Sequence, residues 1–128
     1  MSILLKNGSL KGEKNVDILI ENDLIVKVAP GNSIKDDKAE VFDLTGLIVL
    51  PGLVDLHTHL REPGREDAET VATGSAAAAR GGFTAVHAMA NTLPVADTAG
   101  VVEQVWNLGR KVGLVDVYPI GAVTVGLK

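Results

Sequence analysis

The sequence predicts an α/β protein, with a small β region followed by a strand, a helix, a strand, a helix and a strand. Three observations lead to this prediction. Residues 1–46 contain short apolar stretches that alternate with polar residues, as in half-buried strands. From residue 47 the apolar residues become nearly continuous, which is typical of a strand buried on both faces of a parallel sheet. Two segments with helical signals then alternate with two more apolar strands, the order expected of βαβ units.

The β region, residues 1–46, is predicted to contain two hairpins and a short strand. Asn7 and Gly8 form a dipeptide that favours a tight turn with positive φ angles, which indicates the first hairpin. Apolar alternation on both sides of the turn residues at 21–23 indicates the second. The short strand is expected at 41–44, after a charged loop.

The later part of the chain carries one long strand signal and two helix signals. The run at 47–59 is predicted as a strand buried on both faces, with Pro51 and Gly52 marking an irregular entry. The alanine-rich segment at 68–82 predicts a helix that ends at its two glycines. Apolar residues at spacings of four, three and four predict a second helix at 101–112, capped by Asp97 or Thr98.

Composition and charge narrow the classes of function. The 128 residues are 46% hydrophobic, enough for a folded domain with a modest core. The 12 basic residues are scattered among 16 acidic ones, so neither nucleic acid nor an anionic membrane is an expected partner. The absence of cysteine leaves histidine, aspartate and glutamate as possible metal ligands. No apolar run is as long as a signal-peptide core or a membrane span, so a cytoplasmic location is expected.

His57 and His59 are candidate metal ligands. They lie two residues apart on a predicted strand, so both side chains point to one face with backbones roughly 6.6 Å apart, and both imidazoles can bind one ion. On spacing alone, two ordinary histidines at a strand end are an equal alternative. Their place at the end of the most apolar strand favours a functional role, because active sites of parallel α/β folds lie there. A catalytic zinc normally has three protein ligands, so these two are not enough.

Asp55 and Arg61 flank the histidine pair. Asp55 has the same strand parity as the histidines and either orients an imidazole ring or accepts hydrogen bonds from nearby backbone. Arg61 can hold a substrate carboxylate through two parallel hydrogen bonds. The alternative for Arg61 is an exposed side chain or an ion pair with a neighbouring acid, of which the sequence offers three: Glu62, Glu66 and Asp67.

Asn91 and His87 lie on the next predicted strand. Asn91 ends that strand, so it is expected at the same rim as the histidines, where it either contacts a ligand or acts as a turn residue before Pro94. His87 lies four residues earlier, about 13 Å back along an extended strand. We therefore expect His87 to be a packed histidine whose ring N–H is satisfied by backbone, and not a third ligand.

The stretches GLVDLHTHLREPGRED and GGFTAVHAMANTLP closely resemble the start of bacterial dihydroorotases of the long, class I type, in the amidohydrolase superfamily. The resemblance covers essentially the whole chain. It implies a TIM-like (β/α)8 barrel with a small β subdomain, in which residues 1–46 are the first part of the subdomain and residues 47–128 an incomplete first βαβαβ portion of the barrel. It also implies reversible cyclisation of N-carbamoyl-L-aspartate to dihydroorotate in pyrimidine biosynthesis, with two zinc ions that activate a hydroxide.

The resemblance also assigns roles to individual residues. His57 and His59 would be ligands of one zinc, while Arg61 and Asn91 would hold the substrate carboxylate, with His59 at the same substrate wall. The remaining ligands and the general base, an aspartate, are expected beyond Lys128, so these 128 residues alone are predicted to be inactive. Two departures from the family pattern are residues 58 and 90, occupied by threonine and alanine in place of an aliphatic residue and a proline.

Three other functions are left open by the sequence. Allantoinases and dihydropyrimidinases share parts of the motif but lack the arginine at position 61, and their ring substrates lack the carboxylate of dihydroorotate. A non-catalytic dihydroorotase-like chain would serve as a partner of aspartate carbamoyltransferase. As to assembly, a homo-oligomer is also compatible with the sequence. A free-standing α/β binding domain is disfavoured, because its buried strands would leave apolar edges open.

Overall fold

The computed structural model describes residues 1–10 and 12–128, which form two compact units, Met1–Pro51 and Gly52–Lys128. The first unit is built from strands and the second from alternating strands and helices, so the prediction of a mixed α/β protein with a leading β region is confirmed. The predicted limit at 46–47 lies before the observed one. The reason is that a short strand at Ile48–Val49 pairs within the first unit.

The first unit is a five-stranded sheet organised around its first strand. β1 pairs antiparallel with β2 and parallel with β4 and β5, and β3 pairs antiparallel with β2. The predicted second hairpin and short strand are therefore confirmed. The strands are β1 (Ser2–Leu10), β2 (Glu13–Glu21), β3 (Leu24–Pro30), β4 (Glu40–Asp43) and β5 (Ile48–Val49).

The predicted hairpin at Asn7 and Gly8 is wrong. β1 runs through both residues, and its pairing with β2 shifts register between Leu5 and Gly8. Asn7 has a φ of 62°, so the positive φ angle that the dipeptide favours is used for a bulge inside a strand and not for a turn. The backbone N–H of Asn7 is free to leave the strand ladder there, and it donates to the carboxylate of Asp17 at 3.1 Å.

Asp17 is a fully buried carboxylate that ties three segments of this unit together. It accepts backbone N–H groups from Asn7 in the β1 bulge and from Ser33 and Ile34 after β3, at 3.0 to 3.2 Å. Burial raises the pKa of Asp17, but the backbone N–H donors lower it by more, so the pKa lies below the usual 3.8. The bulge is thus held by a charge-assisted contact that the alternation of apolar residues does not reveal.

The second unit is a parallel sheet, in the order β6-β7-β8, with two helices on one face. Its elements are β6 (Leu53–Thr58), α1 (Val71–Arg80), β7 (Phe83–Ala88), α2 (Ala99–Val112) and β8 (Asp116–Pro119), before a short 3₁₀ turn at Val125–Leu127. Both predicted helices are confirmed, with Thr70 and Thr98 at the N-caps and Gly81 and Gly113 at the C-caps. The core joins both helices to one face of the sheet through Val71, Val86, Val105 and Val117.

The prediction of one long strand buried on both faces is wrong. Residues 47–59 form two strands in different sheets, separated at Pro51 and Gly52, where the sequence predicts the irregular entry. β6 exposes half or more of two apolar side chains, Val54 at 54% and Leu56 at 68%. In the part of the chain that the structure describes, β6 pairs only with β7, and the helices cover only the sheet face of Val86. No helix among residues 1–10 and 12–128 combines the length and apolar character needed to cross a membrane.

We expect Asp17→Asn to lower the free energy of unfolding by about 1–3 kcal/mol, because an amide cannot accept all three backbone N–H groups. The pKa of Asp17 is lowered in the folded protein. Its contribution to the free energy of unfolding is therefore fully present above pH 3.8 and is lost as the pH falls through the folded-state pKa. Urea denaturation at several pH values measures both effects. Asp37→Asn, an exposed aspartate with the same charge change, is the control; equal stability of the two variants contradicts the role of Asp17.

Candidate functional site

A bulge near the end of β6 decides which side chains face the helices. Asp55 pairs with Val86 and Thr58 pairs with Ala88, so β6 uses one residue more than β7 over this stretch. Asp55, Thr58 and Leu60 consequently line a groove of about 290 Å³ against α1. The prediction that Asp55 shares the parity of the histidines is therefore wrong, because the bulge reverses the alternation between Asp55 and Thr58.

Asp55 acts on the backbone of the bulge. Its Oδ1 accepts the backbone N–H of His57 at 2.9 Å, which is the second of the two roles that the sequence left open. A short Asx-type bond of this kind holds the chain in a non-ladder conformation. Asp55 thus helps to place His57 without contacting its ring.

His57 and His59 come together as the sequence predicts. Their ring centroids are 5.2 Å apart, with an angle of 68° between the ring planes. An imidazole nitrogen binds zinc at about 2.0–2.1 Å with tetrahedral angles, which places the centroids of two coordinating rings about 5 Å apart. The pair therefore fits two positions around one ion. Among residues 1–10 and 12–128, no group of three or more histidine, aspartate or glutamate side chains could hold a metal, so the other positions need ligands from elsewhere.

Asn91 contacts the second histidine of the pair. Its Oδ1 lies 2.8 Å from Nδ1 of His59, although the two residues are 32 positions apart in the chain. An amide oxygen only accepts hydrogen bonds, so Nδ1 of His59 carries the proton and Nε2 keeps its lone pair for a metal. The NH₂ group of Asn91 stays available as a donor at the same rim. Asn91 lies three residues beyond the end of β7 and not on the strand as predicted, but its predicted meeting with the histidines is confirmed by this contact.

His87 packs in the way the sequence predicts. Its Nδ1 lies 3.3 Å from the backbone carbonyl of Asp55, and its ring stacks on Tyr118 with centroids 5.2 Å apart. Thr58 donates its hydroxyl to the backbone carbonyl of His87 at 3.0 Å. The threonine that departs from the family pattern therefore joins β6 to β7 and leaves the neighbouring histidines undisturbed.

The chain turns sharply directly after His59. Leu60 and Arg61 have φ angles of 31° and 58°, in the left-handed region that bulky residues rarely adopt and that costs about 1–3 kcal/mol per residue. The backbone N–H of Arg61 donates to the carbonyl of His59, and that of Glu62 donates to the carbonyl of Leu60 at 2.8 Å. The backbone N–H of Arg65 donates to the backbone carbonyl of Arg61 at 2.9 Å and so closes the loop after His59. These bonds fix the position of the Arg61 backbone relative to His59.

The guanidinium of Arg61 makes no ion pair within residues 1–10 and 12–128, although acids surround it in the sequence. Each neighbouring acid makes a hydrogen bond or an ion pair with another group. The hydrogen bond from Arg65 also holds the pKa of Asp67 below its usual value. The contacts are Glu62 with the Val71 N–H at 2.8 Å, Glu66 with the Gly64 N–H at 2.9 Å and Asp67 with Arg65 at 3.1 Å. The ion-pair alternative for Arg61 is thus not realised, and an exposed, unpaired cation follows the histidine pair by two residues in the chain.

Sequence reasoning missed the contact that holds this loop against the helix. Gly74 lies in the first half of α1, and a Cβ atom built on it would be 2.5 Å from Cδ2 of Leu60. A glycine inside an alanine-rich helix is the signal that was available, because glycine lowers helix stability by about 1 kcal/mol relative to alanine and therefore needs a packing reason. The sequence does not say which side chain fills the space.

A model of the family described as dihydro-orotase-like matches residues 46–128, the part of the chain that carries this site. The chain belongs to the dihydro-orotase-like family. A dihydroorotase of Streptomyces coelicolor is 58% identical over 125 residues, which are 98% of this chain and 29% of that protein. A dihydroorotase of Mycobacterium tuberculosis is also 58% identical, over 99% of this chain and 30% of that protein. The chain thus spans about 30% of the length of these curated relatives.

Solved structures share the fold of this dihydro-orotase-like chain at lower sequence identity. An L-hydantoinase (dihydropyrimidinase) of Arthrobacter aurescens matches with a TM-score of 0.77 and 24% identity, over 93% of this chain and 27% of that one. A dihydropyrimidinase of Brevibacillus agri matches with a TM-score of 0.66 and 28% identity, over 93% of this chain and 26% of that one. The α/β arrangement is therefore shared with proteins that are named hydantoinase and dihydropyrimidinase.

We expect Asn91→Ala to lower the fraction of His59 that carries its proton on Nδ1, because the amide oxygen that faces that nitrogen in the described residues is removed. Two-dimensional ¹⁵N NMR of the histidine-labelled, metal-free full-length protein measures the tautomer. His87 is the internal control, since a backbone carbonyl faces its Nδ1 and the substitution leaves that carbonyl in place. An unchanged His59 tautomer in the variant contradicts the assigned hydrogen bond.

Proposed function

We propose that the full-length protein containing this chain is a zinc-dependent dihydroorotase, which reversibly cyclises N-carbamoyl-L-aspartate to (S)-dihydroorotate in de novo pyrimidine biosynthesis. Relatives named dihydroorotase, 58% identical over nearly the whole chain, support this assignment. The observation that carries it is the Arg61 guanidinium, which has no acidic partner among the described residues and follows the histidine pair directly in the chain. An unpaired cation two residues after a metal-binding pair fits a ring substrate that bears a carboxylate.

Arg61 and Asn91 bind the substrate carboxylate in this proposal. A guanidinium offers two parallel N–H donors that match the two oxygens of a carboxylate. Asn91 contributes its NH₂ group, because its oxygen is already occupied by His59. His59 lies at the same substrate wall, so one asparagine side chain connects the group that binds the substrate to a group that binds the metal.

His57 and His59 hold one zinc ion in this proposal, and a second zinc is expected from the family resemblance. Bound zinc supplies a hydroxide nucleophile at neutral pH and polarises the amide carbonyl. Asn91 keeps the Nδ1 proton of His59 in place, so that Nε2 faces the ion, and Asp55 fixes the backbone that carries His57. The remaining ligands and the aspartate general base would come from parts of the protein outside these 128 residues.

The second unit would be the first portion of a TIM-like barrel. Its three strands are parallel, both helices pack on one face, and the functional side chains lie at or just after the C-terminal ends of β6 and β7. In a barrel these strand ends form the catalytic rim. The apolar side chains of β6, such as Leu56, would then become buried by strands that these residues do not include.

The hydantoinase-type alternative is favoured by the fold likeness to an L-hydantoinase (dihydropyrimidinase). Arg61 argues against it, because the ring substrates of such enzymes carry no carboxylate for a guanidinium to hold. Activity on an uncharged ring is therefore the outcome that would favour the alternative. A non-catalytic partner of aspartate carbamoyltransferase would instead bind that enzyme and lack both zinc and cyclisation activity.

The test compares the full-length protein, the 128-residue chain and two arginine variants. We expect zinc and carbamoyl-aspartate cyclisation in the full-length protein and no cyclisation by the 128-residue chain. Arg61→Ala should raise KM by about 10- to 100-fold, since it removes charged hydrogen bonds worth about 1.5–3 kcal/mol. Arg80→Ala is the matched control, because Arg80 is an exposed arginine in the last turn of α1 and lies outside the loop of Arg61.

Elemental analysis for zinc and a cyclisation assay with varied substrate concentration give these results. A full-length protein without cyclisation activity overturns the proposed function. An active protein in which Arg61→Ala and Arg80→Ala have the same KM overturns the assignment of Arg61 to the substrate carboxylate.

A further inference from the structure

We infer that Gly74 and Leu60 are positioning residues for substrate recognition: the space left by Gly74 in α1 receives the side chain of Leu60 and thereby sets where Arg61 meets the carboxylate. This inference rests on the proposed function, in which Arg61 binds that carboxylate. It adds a helix residue and a buried leucine, neither of which contacts substrate, to the residues that determine specificity.

The contact between α1 and the loop is close and specific. A Cβ atom on Gly74 would meet Cδ2 of Leu60 at 2.5 Å, and its next neighbours are side-chain atoms of Glu69 at 3.2 and 3.3 Å. All three atoms belong to the segment between β6 and α1, and none belongs to the sheet. The absence of a side chain at Gly74 therefore serves the loop and not the packing of the helix on β7.

Other glycines in the helices show how unusual this contact is. A Cβ atom on Gly109 in α2 would meet Cβ of Val117 at 2.5 Å, which is equally close, but Val117 belongs to β8, so that space serves the packing of the helix on the sheet. A Cβ atom on Gly100, also in α2, would meet nothing within 4 Å. Among the helical glycines described, Gly74 is the one whose space is filled by the residue next to Arg61.

Leu60 transmits its position to Arg61 through the backbone. Leu60 is only 4% exposed and belongs to the core with Val71 and Val86, so its side chain has little freedom to move. Its φ of 31° and that of Arg61, 58°, belong to one tight turn that starts from the carbonyl of His59. A left-handed pair of bulky residues persists only where surrounding contacts hold it, and the Leu60 side chain supplies that contact.

A shift of this turn would affect the carboxylate more than the metal pair. His57 lies on β6, where hydrogen bonds of the sheet and of Asp55 hold it, and Asn91 holds His59 from the neighbouring strand. Arg61 has no such lateral support from another side chain in the described residues. Because two parallel hydrogen bonds demand close alignment, a displacement of about 1 Å is enough to weaken them strongly.

The experiment uses Gly74→Ala in the full-length, zinc-loaded protein. We expect KM for the carboxylate substrate to rise about tenfold, with kcat and zinc content within about twofold of wild type. Gly100→Ala is the matched control, because it makes the same substitution in a helix where the new methyl group meets no atom, and it should leave KM unchanged. Leu60→Met in the Gly74→Ala background should restore KM, since an unbranched, flexible side chain can avoid the new methyl group.

A double-mutant cycle with Arg61→Ala distinguishes positioning from a general loss of stability. If Gly74→Ala acts through Arg61, it adds nothing to the KM of the Arg61→Ala protein. An additive effect of the two substitutions, or an unchanged KM in Gly74→Ala, overturns the inference. If Gly74→Ala fails to fold, Leu60→Ala, which removes the side chain that fills the space at Gly74, takes its place in the cycle with Arg61→Ala. An inactive wild type overturns the proposed function, whereas an active wild type with an Arg61-dependent KM and no coupling to Gly74 overturns this inference alone.

Discussion

The geometry of the site depends on one strained piece of backbone, the left-handed turn at Leu60 and Arg61. Without it the chain would continue in the direction of β6, and Arg61 would lie two residues beyond His59 along an extended backbone. The turn is unfavourable for two bulky residues, and burial of the leucine side chain together with three backbone hydrogen bonds offsets that cost. The position of Arg61 therefore depends on Leu60, a neighbouring residue that does not contact the substrate.

The guanidinium of Arg61 stays free to bind a carboxylate because the acids near it in the sequence make other contacts. Five charged residues follow His59 within eight positions, and random pairing among them would neutralise the guanidinium. In the fold, one acid accepts the first N–H of α1, another closes a tight turn and the third pairs with Arg65. Surface ion pairs are weak, so the Arg65 contact matters less for stability than for occupying an acid that would otherwise compete.

The sequence predicted the order of the helices and strands better than it predicted their local geometry. The helices, the parallel strands and the meeting of His59 with Asn91 follow from periodicity and from the rule that parallel strand ends share an edge. The bulges at Asn7 and after Asp55 do not follow, because a bulge is decided by hydrogen bonds with residues far away in the chain. A single inserted residue reverses the alternation of side chains, so the parity argument failed for Asp55, although the rings of His57 and His59 still lie next to each other.

The most direct measurement is a crystal structure of the full-length protein with dihydroorotate bound. We expect both guanidinium N–H donors of Arg61 and the amide NH₂ of Asn91 to lie about 3 Å from the carboxylate oxygens, with Leu60 still packed against Gly74. A carboxylate bound elsewhere, or an Arg61 side chain turned onto Glu62, would contradict the proposed role of Arg61.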